Sequence, residues 1–152
     1  MELNKDNSLS NHDLYDLATK YKISLDGIFM RDRIPYKLTN GNYIINLDDS
    51  KNNGSHWTCL IVYNNVYYYF DSMGVVAPEI IHEEFKPLIY NKKQIQDVNS
   101  TACGYFCVHF IKWMSNTDIH KLDLYKAYNN LYSDDTEYND KILIKLLNKI
   151  NR

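Results

Sequence analysis

Along the chain the spacing of apolar residues changes several times, and each change marks an element. In SNHDLYDLATKY (10–21), Leu14, Leu17, Ala18 and Tyr21 recur at i, i+3, i+4 and i+7 behind Ser10, which predicts a helix with a serine cap. LDGIFMRDRIP (25–35) lacks such a period and is punctuated by Gly27 and Pro35, which predicts a loop or short turn. YIINL (43–47) is a short continuous apolar run, the mark of a buried strand, and DDSKNNGS (48–55) is a polar loop. Two runs rich in β-branched and aromatic residues follow, HWTCLIVY (56–63) and VYYYFD (66–71), separated only by Asn64-Asn65. Asparagine tolerates positive φ, so the pair predicts a two-residue hairpin. KPLIYN and KQIQDV, within 86–98, suggest further extended structure. From about 101 to 115 the period becomes helical, with Cys103, Cys107, Phe110, Ile111 and Met114 on one face and Ser100 or Thr101 placed to cap it. Two more helices are expected at 117–131 and 138–150. The layout is α+β: a small mixed or antiparallel sheet with helices packed around it.

The hairpin fixes which side chains meet. With Asn64-Asn65 as the turn, the numbers of paired residues sum to 129, so His56 shares a face with Thr58 and with Asp71. His56 and Asp71 become diagonal neighbours, typically about 7–8 Å apart at Cα and within side-chain reach. A carboxylate there fixes the tautomer of an imidazole and stabilises its charged form, as a catalytic base requires. The same register sends His56 and Cys59 to opposite faces, which leaves Cys59 to pack beneath the sheet. The H-x-x-C spacing of His56 and Cys59, with Cys103 and Cys107, nevertheless also suits a four-ligand zinc site, so a zinc-stabilised binding module is the alternative from a different class.

Cys103 and Cys107 differ in setting. Cys103 falls in the first turn of its helix, beside Gly104, where the helix dipole and unpaired N–H groups can draw a thiol from about 8.5 into the ~3.5–7.5 range. Gly104 leaves room for a substrate carbonyl, and its N–H or that of Cys103 can serve an oxyanion. Cys107 lies a turn deeper on the apolar face, a core position. The remaining histidines compete poorly as a base: His12 is in a helix's first turn, His82 in the charged HEEF, and His120 in a polar helix opening. His109 is about 240° around the helix from Cys103.

Composition sets bounds. A chain of 152 residues, 45% apolar and 24% charged, is enough for one domain, with residues 1–8 expected to fray. A net charge of −2 advertises no nucleic-acid surface. No stretch approaches the ~20 apolar residues of a membrane span. MELNKDNSLS lacks the apolar core of a signal peptide, so secretion is not expected. Three cysteines argue for a reducing compartment rather than a disulfide framework.

GSHW (54–57), YYFDSMG (68–74) and QDVNSTACGYFC (96–107), in that order, resemble the adenovirus-type (adenain-like) cysteine proteases. The look is nearest to the short versions found in virophages, large DNA viruses and Maverick/Polinton transposons. The wider clan includes the proteases of ubiquitin-like modifiers. With LSNHDLYDLATKY, GIFMRDRIP and YIINLDDSKNNGSHW upstream, the similarity extends over roughly residues 9–112. It implies His56 as general base, Asp71 as the acid orienting it, Cys103 as nucleophile and Gln96, seven residues before it, as a side-chain donor to the oxyanion; Gln94 has the wrong spacing. Trp57 matches a frequent family residue beside the base. Phe29 and Asp32, in FMRD, match a stretch that covers the substrate channel in the modifier proteases, although a core aromatic and a loop cap fit the same letters.

The resemblance further implies a thiol-dependent endopeptidase that matures a virion by cutting capsid or core precursors at Gly-containing sites, acting in the virion and the host cytoplasm without a resident cofactor. An isopeptidase of a ubiquitin-like modifier is the alternative within the same chemistry, and an inactive scaffold a further one. No cysteine lies between Cys59 and Cys103, so the disulfide-linked activating peptide of the adenovirus enzymes is not carried over. A noncovalent activating peptide remains an expected partner, and the slight negative charge argues against essential nucleic acid.

Overall fold

The structure is a computed structural model and describes residues 9–48 and 56–150. Asn64 and Asn65 both have positive φ, 49° and 65°, as a two-residue turn between twisted strands requires. They join β3 (Trp57–Tyr63) to β4 (Val66–Phe70), paired antiparallel from Cys59 opposite Phe70 to Tyr63 opposite Val66. That is the register the asparagine pair predicts. β2 (Gly41–Asn46) pairs antiparallel with β3 on the other side, so that Ile45 faces Thr58 and Asn46 faces Trp57. The sheet is completed by two short parallel edges: β1 (Gly27–Met30) on β2 and β5 (Leu88–Tyr90) on β4. The order is β1-β2-β3-β4-β5, a five-stranded mixed sheet in an α+β fold.

Strand alternation divides the apolar residues between two layers. Ile44, Trp57, Cys59, Ile61, Tyr68 and Phe70 face the larger core, built with α1 (Asn11–Lys20), α3 (Cys103–Met114), α4 (Lys121–Asn129) and α5 (Asn139–Ile150). The Phe70 and Phe110 rings stack at 4.6 Å, and Tyr128 meets both edge-on. On the opposite face Ile45, Leu60 and Tyr69 are covered by Ala77, Phe85 and Ile81 of α2 (Glu79–Glu84). No described helix is long and apolar enough to cross a membrane.

Several sequence expectations change. Residues 25–35 hold β1 and a 3₁₀ turn at Arg31–Arg33 rather than a loop alone. Ser10 does cap α1, in a reciprocal capping box with Asp13. The N-cap of α3, by contrast, is Ala102, which offers no side-chain cap; Ser100 Oγ instead accepts the Ala102 N–H at 3.1 Å. Of the extended structure expected over 86–98, only Leu88–Tyr90 forms a strand. The fraying expected of residues 1–8 and the loop over 49–55 lie outside the described residues.

Candidate active site

His56 and Asp71 each sit one residue beyond a strand, at the same end of the β3–β4 hairpin. The His56 carbonyl accepts from Leu47 N–H at 2.9 Å, which ties its backbone to the end of β2. Its side chain reaches past the sheet, and Nε2 lies 2.7 Å from Asp71 Oδ1. Asp71 is fully buried, and its Oδ1 also accepts the Met73 N–H at 2.8 Å. Oδ2 is buried with no hydrogen-bond partner among the described residues. A buried carboxylate so sparsely solvated needs a counter-ion, and the imidazole is the group in place to provide one.

The other side of the ring belongs to Cys103. The strands deliver His56 to the end of the sheet, and α3, packed on β3, starts there with Cys103 as its first residue. Burial alone would lower the imidazole's pKa. The hydrogen bond to Asp71, the neighbouring Cys103 sulfur and the charges of both outweigh that and push His56 up to about 10. With Nε2 engaged by Asp71, Nδ1 is the nitrogen left for the sulfur. One imidazole thus lies between the carboxylate it is bonded to and a neighbouring thiol, and its side chain keeps 19% of its surface exposed.

Gln96 lies on the segment leading into α3. Its Oε1 accepts from Ser72 Oγ at 2.6 Å, and its Nε2 donates to the Ser100 carbonyl at 2.8 Å. Gln94 turns away and donates to the Gln96 carbonyl at 3.0 Å. The backbone of Asp71 is gripped by Asn91, whose Oδ1 accepts the Asp71 N–H at 3.0 Å while its Nδ2 donates to the Asp71 carbonyl at 2.6 Å. Sequence reasoning singled out neither Ser72 nor Asn91. Position alone was the available signal for Ser72, next to the acid in FDSMG, and Asn91 carried none.

No family model and no curated protein matches the chain. Among solved structures it is similar to the crystal structure of the ASFV pS273R protease, with a TM-score of 0.48 and 15% sequence identity, over 86% of this chain and 71% of that one.

The remaining candidates are placed less simply. Trp57 is only 3% exposed, and its Nε1 donates to the Leu9 carbonyl at 2.9 Å. Strand alternation turns its ring into the larger core while its neighbour His56 leaves the sheet end, so it offers little surface to a substrate. A Cβ on Gly104 would point at Leu9 Cδ1, 2.8 Å away, and at Leu14. The missing side chain therefore lets α3 approach α1 closely; it does not open a path for a substrate carbonyl. Phe29 pairs with Ile45, which pairs with Thr58, so β1 ends at the same end of the sheet as His56, about 10 Å away at the usual strand spacing. The Phe29 ring folds over Gly27 and stacks on Tyr43 at 6.1 Å, while Asp32 is exposed in the 3₁₀ turn beyond.

Cys59 and Cys107 are buried neighbours across the β3–α3 contact, and burial pushes the Cys107 thiol well up. Among the described residues no three His, Cys, Asp or Glu side chains gather so as to hold a metal ion. A recess of ≈ 380 Å³ beside the start of α3 is lined by Asp97, Ser100, Thr101, Glu137 and Asp140, and neither His56 nor Cys103 lines it.

Proposed function

We propose that the chain is a cysteine endopeptidase working through Cys103, His56 and Asp71. The observation that carries this reading is the imidazole held by a buried carboxylate at 2.7 Å next to a thiol at the opening of a helix. His56 takes the proton of Cys103 while Asp71 holds the ring and balances its charge. The thiolate attacks a peptide carbonyl and a C–S bond forms. The oxyanion is received by a Gln96 Nε2–H and the Cys103 backbone N–H. Collapse breaks the C–N bond, and His56 passes its proton to the departing amine. Water, giving a proton to His56, then opens the thioester and restores the thiol.

For the substrate, we infer precursor polypeptides of a virion cut at Gly-containing sequences, in the virion or host cytoplasm, with a noncovalent activating peptide as partner. The ordered motifs around His56, Asp71, Gln96 and Cys103 support this finer reading. Phe29 and Asp32, at the same end of the sheet, are the proposed substrate contacts. The test replaces Cys103 and Cys107 separately by alanine and follows cleavage of a Gly-Gly-containing peptide. Cys103→Ala is expected to remove activity by about 10³-fold or more, and Cys107→Ala to keep it within about tenfold. The reverse pattern would overturn the assignment.

A further inference from the structure

Ser72 directly follows the triad acid, but its hydrogen bonds among the described residues lead to Gln96 and its neighbour. The Ser72 carbonyl accepts the backbone N–H groups of Ile95 and Gln96, both at 2.8 Å, and its hydroxyl lies 2.6 Å from Gln96 Oε1. Both side chains are buried, Ser72 at 1% and Gln96 at 2% exposure. The sense of the amide is settled by chemistry. The Ser100 carbonyl can only accept, so the Gln96 atom 2.8 Å from it is nitrogen, and the atom facing Ser72 is oxygen. The Ser72 hydroxyl must therefore donate. Held at its oxygen by Ser72 and at one N–H by Ser100, the amide plane is fixed, and its second N–H is left unpartnered among the described residues. A proton donated to Oε1 also polarises the amide and strengthens that N–H as a donor.

We propose that Ser72 is a positioning residue for the oxyanion donor: its hydroxyl sets Gln96, so that the dipeptide Asp71-Ser72 organises both the base and the oxyanion site. This rests on the Cys103–His56 reading above, and the measurements separate the two. The substrate probe is a peptide ending in Gly-Gly-aminocoumarin, the transition-state probe a peptide aldehyde ending in glycinal, and the control alkylation by iodoacetamide, which forms no oxyanion.

Ser72→Ala is expected to lower kcat about tenfold with KM within about twofold, and to weaken aldehyde binding by a similar factor, while the alkylation rate of Cys103 stays unchanged. In a Gln96→Ala background the same substitution should cost nothing further. Ser72→Thr keeps the hydroxyl and should hold kcat within about threefold; it carries the comparison if the alanine variant melts below the assay temperature. An undiminished Ser72→Ala effect in the Gln96→Ala background, or a threonine variant as slow as Gln96→Ala, would overturn the role of Ser72. Failure of the triad reading has a different signature: in the parent protein Cys103 would be alkylated no faster than Cys59 or Cys107.

Discussion

Among the described residues the buried Asp71 carboxylate has only Nε2 of His56 and the Met73 N–H as partners, both on Oδ1, so its charge and that of the His56 ring depend on each other. Asp71→Asn keeps the shape and removes the charge. It is expected to cut kcat/KM by roughly 10³–10⁴-fold, as loss of a triad acid's charge does. The pH profile should change as well. His56 stays protonated up to about 10, so activity that needs the imidazolium should persist to that region and fall above it. In Asp71→Asn that alkaline limb should move to lower pH; a limb that stays put would mean that Asp71 does not hold the ring's proton. At this scale the sequence was informative about partners and poor about orientation. Hairpin arithmetic joined His56 to Asp71, because register follows from the turn. Nothing in the letters says that Trp57 turns inward to Leu9, or that Gly104 is small for the sake of Leu9 and Leu14, because both depend on how α1 docks.

The segment between β5 and α3 makes almost no regular structure, and other elements hold it in place. Asn139, buried at the start of α5, donates to the Ile95 carbonyl at 2.7 Å and to the Ser133 carbonyl at 2.9 Å, and accepts the Ser133 N–H at 2.8 Å. Lys93 reaches the carbonyls of Asn129, the last residue of α4, and of Tyr132 beyond it. The C-terminal helices thus brace the segment that carries Gln96. Asn139→Ala is expected to cost about 2–4 kcal/mol, read as a lower urea midpoint, and to reduce kcat more than it raises KM. Gly74 closes the turn after Asp71 with φ +69°, and a Cβ there would meet the Lys93 backbone at 2.7 Å. Gly74→Ala should therefore destabilise by more than the ~1–2 kcal/mol of the left-handed conformation alone, checked by thermal melting. The long elements were legible because apolar periodicity and the Asn64-Asn65 turn are local signals. β1 was not, since GIFM pairs in parallel with a strand sixteen residues on and no turn chemistry announces it. Nor was α2, six residues long with only Ile81 buried.

For the molecule as a whole, one face of the sheet carries a core of aromatic rings around α3, and a histidine lies within it. His109 is buried, its Nδ1 2.9 Å from the Tyr128 hydroxyl, and burial pushes its pKa down to about 4 from the usual 6.5. The unfolded chain therefore takes up a proton near 6.5 that the folded chain refuses until about 4, so His109 favours folding fully above 6.5 and ever less as pH falls through that window. The melting temperature should drop as pH falls from 6.5 to 4, and His109→Phe should flatten that drop. The α+β layout was legible from the order of periodic segments, whereas the convergence of the sheet end with the start of α3 needed the packing of the whole chain. That convergence is tested most directly by the rate at which iodoacetamide alkylates each cysteine at neutral pH, mapped by mass spectrometry in the parent protein and in His56→Ala. Cys103 is expected to react about 100-fold faster than buried Cys59 and Cys107, and to lose at least about tenfold of that rate without the imidazole. Labelling that favours Cys59 or Cys107, or a Cys103 rate indifferent to His56→Ala, would contradict it.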